Sequence, residues 1–273
     1  MKYTDPIEYP GIENILDNID TYKEKFLNDS ILVFRNANLS FLEQSTLHKQ
    51  LQSSFNFYNF SDGTNNLHKY EEDHSKRKLI EVARTDDILL NWHMEHTYQS
   101  NPIVIATWNM INFTTNSENG KTYFMDCQKI YQDLPQDWKD FLINCKVNIP
   151  SEGITDTFKP DDYNIVQSHW LNLNPSLRMV IGKHPNLINR LMSVNNNEPT
   201  QSQKDLFTEI SVWIGNYIYD NDENRIIHKW QQGDVVIPDL FKLAHAVTGG
   251  FSPEDRKFIG IWGFKDPVDM SNV

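Results

Sequence analysis

The chain has 273 residues, a formal net charge of −12 and a pI near 5.1. That acidity argues against duplex nucleic acid and anionic membranes, which need a basic surface to meet their phosphates; the one basic run, His74 to Lys78, directly follows Glu71-Glu72-Asp73. No apolar run approaches the ~18 residues of a membrane span, the N-terminus lacks a signal core, and 15 Phe, 11 Tyr and 7 Trp are enough to fill a sizeable core. The expectation is a soluble, cytoplasmic protein with Cys127 and Cys145 as reduced, buried thiols.

In chain order, the spacing of Ile12, Ile15, Leu16, Ile19 and Tyr22 predicts a helix over 11–28. Ile31 to Phe34 reads as a short buried strand. Ser40, three residues before Glu43, predicts a capping box opening a helix that runs to about Phe55. The polar and aromatic stretch 56–78 has no clear period and is read as a long loop, an active-site lid. Strands are predicted at 78–82, 103–113 and 120–125, a helix or helix pair over 127–145 around Leu134-Pro135, and a strand at 146–149. Residues 150–166 read as loop, 169–181 as strand, turn, strand, and 200–219 as an amphipathic helix. Four strands close the chain, at 225–230, 234–238, 244–248 and 257–264, separated by Gln231-Gln232-Gly233 and Gly249-Gly250. Many short strands with flanking helices predict a mainly β fold, a double-sheet jelly roll, as one domain over 1–273. A generic α+β fold is the rival.

Two segments far apart in sequence carry the chemistry. The first is Asn91-Trp92-His93-Met94-Glu95-His96-Thr97-Tyr98; the second holds His245, with Arg256 after it. Two histidines and a carboxylate suit Fe(II), Mn(II) or Zn(II), and a three-ligand face leaves positions open for oxygen chemistry. An arginine beside them can clamp a dicarboxylate co-substrate. In an extended strand, His93 and Glu95 would share a face and His96 would point away. Taken alone, His-x-Glu is a weak signal and equally describes a surface strand pair.

The first segment resembles the iron-binding motif N-W-H-x-D-x-T-F/Y of the taurine dioxygenase family, and further blocks match in order. Asn101-Pro102 with the following strand, and Asn119-Gly120-Lys121-Thr122-Tyr123-Phe124-Met125-Asp126, are similar to the family's P-P strand and G-G-D-T-L-F segment. Ile130 to Pro135 resembles A-Y-x-x-L-P, and His228-Lys229-Trp230-Gln231-Gln232-Gly233-Asp234 resembles H-x-W-x-x-G-D, with Ala244-His245-Ala246 holding the distal histidine. The resemblance implies a double-stranded β-helix and an Fe(II)/2-oxoglutarate-dependent dioxygenase that consumes O2 and releases succinate and CO2. It implies that His93, Glu95 and His245 bind iron, that Thr122 and Arg256 hold the distal carboxylate of 2-oxoglutarate, and that Asn91 belongs to the same co-substrate group.

The departures narrow the substrate. Most of the family carries Asp where this chain has Glu95; Glu is similar to the clavaminate synthase branch, which acts on amino-acid-like molecules. A carboxylate at that position argues against a halogenase. Gly260 stands where the taurine enzyme's sulfonate-binding arginine would fall, which disfavours taurine. The implied substrate is a small molecule, an amino acid or a small amine or acid, and the candidate pocket residues are His96, Tyr98, Trp108, Asn109 and His68. His228 reads as structural. A non-catalytic jelly-roll binding protein and a zinc hydrolase using the same triad are the alternatives, and a homo-oligomer is compatible with the sequence.

Overall fold

The computed structural model describes residues 5–59, 70–71, 88–96, 100–149, 161–180, 187–252 and 254–268. Within them, the strands in chain order are β1 (Ile7–Glu8), β2 (Ile31–Arg35), β3 (Tyr58–Asn59), β4 (Tyr70–Glu71), β5 (Ile88–His93), β6 (Ile103–Phe113), β7 (Thr122–Asp126) and β8 (Cys145–Asn148). There follow β9 (Tyr163–Asn164), β10 (Val166–Ser168), β11 (Pro175–Leu177), β12 (Arg190–Val194), β13 (Arg225–His228), β14 (Val235–Pro238), β15 (Leu243–Thr248) and β16 (Arg256–Phe264). The α-helices are α1 (Ile12–Asp17), α2 (Ile19–Asp29), α3 (Phe41–Phe55), α4 (Cys127–Asp133), α5 (Gln136–Leu142) and α6 (Gln201–Asp220).

Two sheets face each other, as the predicted jelly roll requires. The larger runs β1-β2-β14-β6-β16-β3, with β4 also on β16; the smaller runs β13-β7-β15-β5. Side-chain alternation divides their residues between three apolar layers. Between the sheets lie Val33, Trp108, Met110, Val236 and Phe258 from the larger, with Phe124, Ile226 and Leu243 from the smaller. Outside the larger sheet, Leu32, Phe34, Val104 and Val235 meet Ile15, Phe26, Leu47 and Leu51 of α1 to α3. Outside the smaller sheet, Trp92, Tyr123, Met125, Ala244 and Ala246 meet Ile130, Leu142, Phe207, Ile210 and Ile214 of α4 to α6. The inter-sheet layer is the one that reaches the metal motif.

The capping box predicted at the start of α3 is present, and α6 opens on a second one that the sequence reading did not anticipate. Ser40 and Glu43 cap α3 reciprocally, and Thr200 and Gln203 do the same for α6. The single helix expected over 11–28 is two: Asn18 closes α1 and opens α2, and its Nδ2 donates to Asn14 O at 2.9 Å. A side-chain amide that bonds the preceding turn offers the backbone an alternative to continuing the helix. The strand expected to start at His169 ends before it: β10 and β11 form the hairpin, and His169 sits in the turn. There its Nδ1 accepts from Leu171 N and Asn172 N, both at 3.2 Å, while Nε2 donates to Asp239 at 2.7 Å. Strand β12, unanticipated, pairs with β8. The predicted lid over 56–78 is described at β3 and β4, both short strands on β16 rather than loop; the remainder, with His68, and the strand expected at 78–82 lie outside the described residues. Cys127 and Cys145 are free and buried.

Candidate metal and co-substrate site

His245 is the third residue of β15, an inner strand of the smaller sheet. Its neighbours Ala244 and Ala246 pack outward, so alternation sends the imidazole inward. It pairs with Phe124 of β7 on one side and His93 of β5 on the other. Between His245 and Val247 the partners step from His93 to Leu90, so two residues of β15 oppose three of β5. Such a bulge re-aims side chains at a sheet edge, and here it leaves His93 beside His245 with ring centroids 4.2 Å apart. Trp92 and Met94, on the other face, are buried in the outer layer.

Strand β5 ends at His93, and Glu95 lies in the turn beyond it. The same-face argument from an extended strand therefore does not hold; the turn itself carries the carboxylate round to His93. Glu95 Oε1 is 3.8 Å from His93 Nε2, and ligand atoms of His93, Glu95 and His245 all lie within 4.8 Å of one another. Glu95 Oε2 is buried with no hydrogen-bond partner. Burial pushes the Glu95 carboxyl upward, but the His93 hydrogen bond and the charges of His93, His245 and His96 outweigh it and hold the group at about 2. An ionised carboxylate with an unmet oxygen beside two imidazoles is a donor set that fits a divalent cation of the first transition row. His96, at φ 47°, is buried with its ring 5.0 Å from Trp262 and 5.8 Å from Phe264. Burial brings its pKa down to about 4, against the pull of Glu95 and with help from Arg178, so it is neutral at pH 7.

A second cluster is linked to His245 through the rings of Trp108 and Phe258 in the inter-sheet layer. Thr122 opens β7 and Arg256 opens β16; both are buried, Arg256 at 1% exposure. Arg256 Nε donates to Gly120 O at 3.2 Å and Nη2 to Thr122 Oγ1 at 3.4 Å. Its guanidinium lies 5.4 to 5.6 Å from the rings of Phe258, Phe251 and Trp230. Gly120, at φ +61°, permits this approach: a Cβ there would stand 2.9 Å from Arg256 Cδ. Trp230 Nε1 donates to Thr122 Oγ1 at 2.9 Å. The threonine oxygen thus accepts two hydrogen bonds and keeps its own O–H to donate. Beneath, Asp234 ion-pairs with Arg35, accepts from Gln231 N at 2.8 Å and stands 3.4 Å from His228 Nε2, which makes His228 structural, as expected.

Of the predicted pocket residues, Trp108 is in place, its ring 5.3 Å from that of His245. Asn109 is not: strand alternation turns it to the helix layer, where Nδ2 donates to Leu39 O at 2.7 Å. Asn91 occupies β5; Tyr98 lies outside the described residues. Sequence reasoning missed Trp230 as a support of Thr122, although it sits inside a quoted motif. It also passed over Arg178, a lone charge in the apolar run Leu177 to Val180 whose Nη2 donates to Glu95 O at 3.3 Å.

The family model "Taurine catabolism dioxygenase TauD, TfdA family" matches residues 5–262. No curated protein sequence matches. Among solved structures, an α-ketoglutarate-dependent taurine dioxygenase from Burkholderia xenovorans, so described, aligns with TM-score 0.65 and 16% identity over 97% of this chain and 87% of its own. A second taurine dioxygenase from that organism gives 0.63 and 16% over 94% and 85%. AAD-2, solved with Mn(II) and N-oxalylglycine, gives 0.61 and 15% over 97% and 92%.

Proposed function

Since the chain belongs to the TauD, TfdA family and is an Fe(II)- and 2-oxoglutarate-dependent dioxygenase, we propose that His93, Glu95 and His245 are its iron ligands and that Thr122 and Arg256 hold the far carboxylate of 2-oxoglutarate. The observation that carries this is the convergence of the three ligand atoms from two strands and a turn, with Glu95 Oε2 unmet. Bound iron would supply oxygen activation coupled to oxidative decarboxylation of 2-oxoglutarate, with hydroxylation of a small molecule as the outcome. The protein's own part is geometric and electrostatic. Arg256 presents a fixed cation in a dry aromatic enclosure, where a carboxylate gains more than in water. Thr122 donates its remaining O–H to the same group. Trp108 and Phe124 wall the metal face of His245, with Phe124 at 6.1 Å, and exclude water.

The reading takes the whole chain as one catalytic domain acting on a small molecule in the cytoplasm, not on nucleic acid, in keeping with the charge of −12. Among the described residues no helix is long and apolar enough to cross a membrane. Anaerobic addition of Fe(II) and then 2-oxoglutarate should give a visible metal-to-ligand charge-transfer band. Glu95→Ala should lose it, and Arg256→Ala should require about 10- to 100-fold more 2-oxoglutarate, the loss of a charge-assisted hydrogen-bonded pair. A wild-type protein without the band, or a Glu95→Ala protein with full turnover, overturns the ligand assignment.

A further inference from the structure

Strand pairing fixes two of the three positions that carry the candidate ligands. His245 lies inside β15 and His93 at the end of β5, paired with each other; His93 is bridged to Val180 as well. Glu95 has no such ladder. It stands in the turn after β5, and His96 next to it takes φ 47°, a left-handed conformation uncommon outside glycine. Among the described residues no backbone N–H donates to the Glu95 carbonyl. Its hydrogen-bond partner is a side chain, for Arg178 Nη2 donates to Glu95 O at 3.3 Å.

Arg178 is fully buried, and its own backbone is pinned. Its N–H donates to Ile165 O at 2.7 Å. Two residues on, Val180 N donates to Asn189 Oδ1 at 3.1 Å, and Val180 O accepts from Ile188 N at 3.0 Å. Leu177 and Met179 pack into the outer layer with Trp92 and Met94. Arg178 between them turns the other way, and its guanidinium lies 5.1 Å from the ring of Phe241. Burial lowers its pKa to about 10, so it remains a cation at neutral pH, with Asp239 offsetting the charge. That offset accounts for how the charge is tolerated and not for where the fork reaches. Nε and Nη1 meet no acceptor, and among the described residues the Glu95 carbonyl is the one acceptor that the guanidinium meets. Arg225, which braces the end of α6, is different: its fork bonds Ile218 O twice and Tyr219 O once, at 2.9 to 3.2 Å.

We propose that Arg178 is a positioning residue for the metal: it holds the Glu95 carbonyl, and with it the turn, so that the carboxylate stays beside His93 where strand pairing has ended. This rests on the metal site proposed above, and deepens it. A glutamate side chain is long, and movement of an unpaired turn would add to its own rotamer freedom. A hydrogen bond from a charged donor, on a segment that is itself fixed, removes the turn's share of that freedom before a metal arrives. Groups that orient metal ligands commonly change metal affinity by about 10- to 100-fold.

The test is a double-mutant cycle on the full chain, with Zn(II) affinity read by competition with a chromophoric chelator. Arg178→Met keeps an apolar stem against Phe241 and removes the donors; it should weaken Zn(II) binding about tenfold. In Glu95→Ala the two imidazoles still offer Zn(II) ligands. There the added Arg178→Met should change affinity by less than about twofold, since no carboxylate is left to place. The visible absorption of bound Co(II), which follows ligand geometry, should shift between wild type and Arg178→Met. An Arg178→Met protein that binds Zn(II) as the wild type does, with only its unfolding temperature lowered, makes Arg178 a brace of the fold and overturns the proposal. So does a loss of affinity that is as large in the Glu95→Ala background, and so do superimposable Co(II) spectra. Should Arg178→Met fail to fold, Arg178→Lys, which keeps a cation facing Asp239 and loses the planar fork, goes through the same cycle and is read by the same criteria. Wild-type protein that binds neither metal sinks the metal site itself, a result separable from all of these.

Discussion

At the scale of single residues, the proposed co-substrate site turns on how one hydroxyl is oriented. Thr122 Oγ1 accepts from Trp230 Nε1 and from Arg256 Nη2, which occupies its acceptor capacity and makes its hydrogen available to an incoming carboxylate. Trp230 is itself immobilised: it is fully buried, stacked on Phe258 with rings 6.2 Å apart, and set edge-on to His228 at 4.4 Å. Trp230→Phe keeps most of that packing and removes the N–H. The freed lone pair lets Thr122 turn its hydrogen elsewhere. We expect the 2-oxoglutarate requirement to rise about five- to tenfold, the worth of one neutral hydrogen bond, with little change in Fe(II) affinity. Titration of the charge-transfer band against 2-oxoglutarate at saturating Fe(II) checks this; an unchanged requirement would mean that Trp230 only fills space. Glu95 shows the opposite design, a carboxylate held far below its ordinary range by surrounding imidazoles and left with one oxygen unmet, and so poised to meet a cation rather than another side chain.

At the scale of elements, the chain carries two capping boxes of the same form and different charge. Ser40 with Glu43 caps α3, and Thr200 with Gln203 caps α6. The Ser40 hydrogen bonds hold the Glu43 carboxyl below its ordinary range, with the small burial effect opposing. A carboxylate whose folded pKa is depressed adds stability that is present above its unfolded pKa, ~4.3, and is lost as pH falls through the folded value. Glu43→Gln should therefore flatten the loss of stability between about pH 6 and pH 3.5, whereas Gln203→Glu should steepen it; urea midpoints at the two pH values report both, and equal pH slopes in all three proteins would refute the argument. Thr200→Ala should cost about 1 kcal/mol at either pH. The Ser40 cap was legible in the sequence because it is local, as was β14, whose apolar residues stand in an unbroken run, and β6, where apolar and β-branched residues predominate; the Thr200 box, equally local, was not anticipated. The break at Asn18 was not, since the apolar spacing runs straight through it and a side-chain hydrogen bond decides. Nor was the end of β5 at His93, where polar motif residues hide the strand and the bulge against β15 sets which residue meets His245. Arg178 looked like any lone charge, because its burial depends on a bridge between Val180 and His93 that no local pattern announces.

At the scale of the whole molecule, the proposed site draws on both sheets. His93 and His245 belong to β5 and β15 of the smaller sheet, Thr122 to β7 of the same sheet, and Arg256 to β16 of the larger. Metal alone would bridge strands of one sheet and the turn after β5. A co-substrate gripped by metal at one end and by Arg256 at the other would tie the larger sheet to the smaller. Ligands that bind the folded state raise its stability by RT ln(1 + [L]/Kd), about 2.7 kcal/mol at one hundred times Kd. Mn(II) should accordingly raise the unfolding temperature, and N-oxalylglycine should raise it further only when Mn(II) is present, because one of its two anchors is then in place. In Arg256→Met the metal increment should survive and the second increment should shrink to a small fraction. Gly120→Ala should act in the same direction, since its Cβ would crowd Arg256 Cδ and strain a backbone held at φ +61°. Scanning calorimetry of the three proteins, each alone, with Mn(II), with N-oxalylglycine and with both, gives the increments directly. If N-oxalylglycine stabilised the metal-free wild type as much as the loaded one, or if Arg256→Met kept the full second increment, the two-anchor arrangement across the sheets would be wrong.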